Sequence, residues 1–245
     1  NRDSFFTGVH AGVIGSARII TMLAVTAGEL VVEEKGIYSV EKFLIARRLM
    51  YWQVYLHKAV LSAEQMLIQA ILRARTLIRS GQALEVPDSL YFFMSRDWEA
   101  SDFAYNRAVM LEHFARLDDY DIAFAIKGWM RSEDRLLSYL CTALVERRLL
   151  RLQFRQTPFP EDYLVQLRLQ IGNWWGADDS AGLQHLLIQG KESNSAYNQS
   201  KDEIKILYKD GRVAPLSTNS EYNIQARRVE KYFVCYPKPA VDTGH

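Results

Sequence analysis

The sequence is short of several things, and each shortage excludes a class of protein. It has two cysteines in 245 residues, Cys141 and Cys235. That excludes a disulfide framework and any zinc site built on cysteine, and it points to a reducing, cytoplasmic setting. No apolar run is long enough to cross a bilayer: the most hydrophobic early stretch, Val9 to Val32, is interrupted by His10, Arg18 and Glu29. No basic segment followed by an apolar core and a small-residue cleavage site opens the chain, so no signal peptide is read. It starts Asn1-Arg2-Asp3, without methionine, as a processed chain or part of a longer protein does. Excess charge is also lacking. Lys+Arg is 30 and Asp+Glu 29, for a net charge of +1, so the global charge gives no argument for nucleic acid or an anionic membrane as partner and leaves room only for a local basic site. The phosphate-loop patterns GxGxxG and GxxxxGK[ST] are absent, as are GxSxG and HExxH. None of the five histidines lies within four residues of another, so there is no helical two-histidine metal pair.

What is present is an ordinary globular composition, 49% hydrophobic and 24% charged, enough for a sizeable core. Hydrophobic spacing predicts a helix over 9–32 that ends near Gly28. A long helix over 40–79 follows, capped by Ser39, with apolar positions such as Leu49, Trp52, Leu56, Leu67 and Ile71. Further helices are expected over 90–95, 101–117, 119–132 and 133–148. Pro158 and Pro160 mark a change of style. After it come a helix over 161–171, a polar loop over 190–202, and a strand–turn–strand from Glu203 to Leu216 around Asp210-Gly211. A further strand runs from Lys231 to Tyr236. The expected fold is mainly α: a helical body over 1–157 and a small α+β domain over 158–245. No repeat or low-complexity tract is found.

The chemistry-bearing segment runs from Arg47 to Lys58. In a continuous helix Arg47, Tyr51, Tyr55 and Lys58 share one face. Two cations and two phenols there make a plausible wall for a nucleoside phosphate, Arg as a planar fork and Tyr as a stacking donor. Spacing alone favours the plainer reading, in which the same residues form a polar rim packed against loops. His57 lies about one residue off that face and reads as a hydrogen-bonded structural residue. Asp3, beside Arg2, could cap a helix or take a sugar hydroxyl, and spacing alone favours the cap. The acidic run Asp118-Asp119-Tyr120-Asp121 reads as a helix cap more than a cation site. Trp174-Trp175 reads as packing for the small domain, and both cysteines as buried thiols.

Three blocks in order carry a family resemblance. The first is Asn1-Arg2-Asp3-Ser4-Phe5-Phe6-Thr7-Gly8-Val9. The second runs from Gly36-Ile37-Tyr38 through Arg47 to Val54-Tyr55-Leu56-His57-Lys58. The third joins Ile204–Gly211 with Lys231–Pro237. Together they resemble the HD-superfamily phosphohydrolases, in particular the bacterial branch that cleaves dNTP to deoxynucleoside and triphosphate. The resemblance implies a helical HD-type body and a role in binding nucleotide. It implies that Asp3 contacts the deoxyribose 3′-hydroxyl, Arg47 the phosphate tail and Tyr55 the nucleoside. Tyr51 and Lys58 share the wall without an assigned role, and Arg2 and His57 stand as possible further contacts. It also implies a divalent metal (Mg, Mn, Fe, Co, Ni or Zn) in the parent protein. The metal's His…His-Asp…Asp ligands fall outside this sequence, so no catalytic or metal residue is assigned here. A homo-oligomer is expected. The alternative is a catalytically inactive nucleotide-binding regulatory or oligomerisation module.

Overall fold

A computed structural model describes residues 1–176, 180–194, 203–218, 229–238 and 240. The fold is mainly helical with small sheets. The elements in order are α1 (Arg2–Thr7), α2 (Ser16–Thr21), β1 (Leu23–Thr26), β2 (Glu29–Glu33), α3 (Ile37–Met50), α4 (Lys58–Arg79), α5 (Asp88–Met94), α6 (Ala100–Arg116), α7 (Asp119–Trp129), α8 (Arg135–Val145), β3 (Arg151–Arg155), α9 (Glu161–Trp175), α10 (Ser180–Leu186), β4 (Ile188–Asn194), β5 (Lys205–Leu207), β6 (Val213–Pro215) and β7 (Val229–Tyr236).

The long helix expected over 9–32 does not form. Its place is taken by a short helix, α2, and the hairpin β1–β2, paired from Leu23↔Val32 to Thr26↔Glu29. The reason is local. Ala27 and Gly28 both have positive φ, 50° and 78°, as a two-residue hairpin loop requires. The flanking Val25, Thr26, Val31 and Val32 are β-branched and disfavour helix. Gly28 is therefore a turn residue and not a helix stop.

The helix expected over 40–79 also divides. It starts at Ile37, so Ser39 lies inside the first turn and is not the cap. At Tyr51–Tyr55 the backbone widens into a π turn, with Leu56 N–H bonded to Tyr51 C=O at 2.7 Å. Helix α4 then restarts at Lys58. No glycine or proline is needed for the break. Tyr51, Trp52, Val54 and Tyr55 all lose side-chain freedom against a preceding helical turn, so this run is a weak helix former. The expected loop over 190–202 is strand β4 as far as Asn194, and 195–202 lies outside the described residues.

Two compact units divide the chain, and neither follows a boundary at residue 157. One comprises 1–60, 154–158 and 190–233; the other comprises 61–153, 159–189 and 234–245. In the first unit the hairpin β5–β6, read correctly around Asp210-Gly211, pairs in parallel with β2. This gives a four-stranded sheet in the order β1-β2-β5-β6. The pairing covers the open edge of β2. It buries Val32, Ile206 and Leu216 against Val40 and Leu44 of α3. A second, three-stranded sheet has the order β3-β7-β4.

The second unit is a helical core. In α8, Leu136, Leu137, Leu140 and Cys141 form one apolar stripe and are 0–1% exposed. They pack with Ala70, Ala74 and Leu77 of α4 and Ile171 of α9. Its N-cap is Asp134, whose carboxylate accepts the Leu137 N–H at 2.8 Å. Asp118 caps α7 through a reciprocal capping box with Asp121, as its sequence position suggested. Trp175 belongs to this helical core, 3% exposed, with Arg135 stacked 4.0 Å from its ring. Cys141 and Cys235 are both buried and free.

Candidate functional site

A cavity of about 500 Å³ lies within the first unit, between α1 and the α3–π-turn segment. Asp3 and Arg2 come from α1; Ala46, Arg47 and Met50 come from the last turns of α3; Tyr51 and Tyr55 come from the π turn. Positions 43, 46, 47 and 50 of α3, and Tyr51 directly after it, line it because they recur at helical spacing. Of the sequence-nominated residues, Asp3, Arg47, Tyr51, Tyr55 and Arg2 meet here.

Lys58 and His57 do not line it. The face that a continuous helix would carry on to Lys58 ends at Tyr55, where the π turn changes the pitch. His57 instead accepts the Ala59 N–H on its Nδ1 at 3.3 Å, at the start of α4.

The hydrogen bonding is specific. The Tyr55 hydroxyl donates to Asp3 Oδ2. Accepting that bond at the carboxylate, with partial burial and the Asp3 charge, raises the Tyr55 pKa from its ordinary value, so the phenol stays a donor. The Tyr51 and Tyr55 rings meet edge to face at 5.2 Å. The Arg47 guanidinium lies 5.8 Å from the Tyr51 ring centre, and no carboxylate pairs with it among the described residues. Asp3 therefore acts neither as a bare surface charge nor as a helix cap; α1 has no side-chain cap bond.

Sequence reasoning missed Asn1, Gly12 and Met50. Asn1 Oδ1 accepts the Ile14 N–H at 3.1 Å and ties the loop after α1 to its start. Gly12 lies against Met50 and Ser4: a Cβ there would come within 2.6 Å of Met50 Sδ and 2.9 Å of Ser4 Cβ. Met50 was findable, being one helical turn beyond Arg47. Gly12 was not, because its contacts with Met50 and Ser4 are set by how its turn packs on α3.

This cavity does not fit a metal ion. Asp3 is its one carboxylate and is engaged by Tyr55. Among the described residues, no three His, Cys, Asp or Glu side chains gather in a metal-holding group. Among the same residues, no helix is long and apolar enough to cross a membrane.

Comparison with known proteins shows what this chain resembles. Residues 14–87, which include α3, the π turn and α4, match the family described as the HD associated region. A crystal structure of a phosphohydrolase from Bacteroides thetaiotaomicron is similar over 96% of this chain and 59% of its own, with 40% identity and a TM-score of 0.86. The uncharacterized protein YwfO of Bacillus subtilis is 25% identical over 99% of this chain and 55% of its own length. A hypothetical protein from Aquifex aeolicus shares the fold, at 18% identity and a TM-score of 0.62, over 52% of its length. The chain thus spans a little over half the length of these relatives. The family match and the phosphohydrolase neighbour together support an HD-type phosphohydrolase family.

Proposed function

We propose that this chain forms the substrate-holding part of an HD-type, metal-dependent phosphohydrolase that hydrolyses dNTP to deoxynucleoside and triphosphate. The observation that carries the reading is the convergence of Asp3, Arg47, Tyr51 and Tyr55 on one cavity of nucleotide size. Arg47, with no carboxylate partner among the described residues, would take phosphate oxygens in its planar fork. The Tyr55 hydroxyl fixes one Asp3 oxygen, so that carboxylate is oriented to accept a sugar hydroxyl on the other. The Tyr51 face offers a stacking surface for the nucleoside.

A divalent metal, held by residues other than those lining this cavity, would supply phosphate polarisation and an activated water. The residues of this chain bind and orient. The proposal includes a homo-oligomer, supported by α6, which exposes Phe103, Val109 and Phe114 to solvent.

The test is a panel of dNTPs and monophosphates with Mg²⁺, Mn²⁺ and Co²⁺, using the full-length protein. Arg47→Ala is expected to raise KM for triphosphates by about tenfold, with little effect on monophosphates. An equal effect on both would show that Arg47 does not read the phosphate tail.

A further inference from the structure

A second cavity, of about 410 Å³, lies wholly within the helical unit and shares no lining residue with the first. Its wall is the last two turns of α4, where Arg75 and Arg79 stand four residues apart on one face. Gln69, Gln184 and His185 contribute the polar remainder. His185 is 8% exposed and is held through Nδ1, 2.7 Å from Gln69 Oε1, so this wall is built and not a chance of surface side chains.

Both arginines converge on a single carboxylate. Arg79 donates from Nη1 and Nη2 to the two oxygens of Asp97, at 2.8 and 2.9 Å, in a bidentate fork. Arg75 donates from Nη2 to the same Asp97 Oδ1. The Arg75 Nε is buried and, among the described residues, has no hydrogen-bond partner. One monoanion thus serves two guanidinium groups, leaving a net positive charge and an unused buried donor.

The turn that presents Asp97 is anchored independently of it. Trp98 Nε1 donates to Phe92 C=O at 3.1 Å. The Trp98 ring stacks on Phe92 at 4.4 Å, and Arg96 covers it at 3.7 Å. The Asp97 side chain is 74% exposed, so it can swing into water without disturbing that anchor.

We propose that Arg75 and Arg79 form a binding site for the phosphate or pyrophosphate group of a small phosphorylated molecule, with Asp97 as its built-in competitor. A phosphate dianion neutralises both cations and offers three oxygens, where Asp97 offers one charge and two. Gln69 and Gln184 are then placed to hydrogen-bond the body of the ligand.

The experiment is calorimetric titration of inorganic pyrophosphate into the full chain carrying Arg47→Ala, which removes the phosphate contact proposed for the other cavity. Asp97→Asn removes the competitor and is expected to tighten Kd by about tenfold. Arg79→Ala is expected to weaken it by about tenfold or more, and Arg75→Gln to weaken it as a second, milder change. Thermal unfolding of each variant checks that it is folded. If Asp97 is only a structural tie, Asp97→Asn lowers Tm and leaves the pyrophosphate Kd unmoved, and the proposal fails. It fails equally if pyrophosphate does not bind, or if binding survives both arginine substitutions.

Discussion

Replacing Gly12 with alanine tests the packing that shapes the candidate site. Gly12 is outside the left-handed region, so alanine meets no backbone strain there. The steric cost is direct: the new methyl would lie 2.6 Å from Met50 Sδ, 2.9 Å from Met50 Cγ and 2.9 Å from Ser4 Cβ. Met50 can move in part, because its thioether is flexible. Ser4 cannot easily move, since it is buried and its hydroxyl donates to Val9 C=O at 2.6 Å. Overpacking of this kind costs about 1–3 kcal/mol. The loss of a glycine from the unfolded chain returns about 0.4–1 kcal/mol. The net expectation is a destabilisation of about 1 kcal/mol, or a fall in Tm of about 2–4 °C for a chain of this size. Thermal unfolding by circular dichroism reads it. The Met50→Ala background supplies the internal control, because it removes two of the three close contacts. There Gly12→Ala should cost clearly less, as a double-mutant cycle detects. A Tm equal to wild type, or an equal cost in both backgrounds, would refute the claim that Gly12 is small because Met50 packs against it.

Further expectations rest on other parts of the molecule. Tyr55→Phe deletes the donor to Asp3; because both groups are largely exposed, KM should rise only about two- to tenfold, and an unchanged KM would remove Asp3–Tyr55 from the site. Arg73 and Asp134 form a bidentate, mostly buried pair, at 3.1 and 2.6 Å, and Arg73→Ala should cost about 2–3 kcal/mol in urea unfolding. Burial pushes the Asp134 carboxyl up, but the Arg73 hydrogen bonds and the Leu137 N–H outweigh it and hold it below the ordinary value. Its stabilisation is therefore present above the unfolded carboxyl pKa and lost as pH falls through the folded one. The acid limb of a stability–pH curve should flatten in Asp134→Asn. Burial pushes the Cys141 thiol up to about 12 and the Cys235 thiol up to about 11, so neither should react with a thiol reagent at pH 8 until the protein is unfolded.

Much of the helical unit was legible in the residue pattern. The stripe Leu136, Leu137, Leu140, Cys141 and the capping run Asp118–Asp121 are local signals, complete within one or two helical turns. The hairpin around Asp210-Gly211 was equally readable, because the turn chemistry is carried by two adjacent residues. The first sixty residues were harder. Val9–Val32 is apolar enough to pass for a buried helix, and only pairing with its neighbours shows that Leu30, Val31 and Val32 run as a strand with β5 on their far side.

The candidate site divides the same way. Helical spacing alone puts Arg47 and Tyr51 on one face, since i and i+4 neighbours meet within any regular helix. Whether Tyr55 and Lys58 stay on that face depends on whether the helix continues, and the crowded aromatic run at Tyr51–Tyr55 widens it into a π turn that leaves Lys58 outside. Asp3 lies fifty-two residues from Tyr55, and no local pattern joins them. Sequence by itself determined which short stretches can be helix, turn or strand, because those preferences act over a few bonds. Tertiary packing decided that the turn at Gly12 lies between Ser4 of α1 and Met50 of α3, that Gly12 must be small, and that Asp97 meets Arg75 and Arg79. Such contacts exist only once distant segments have been brought together.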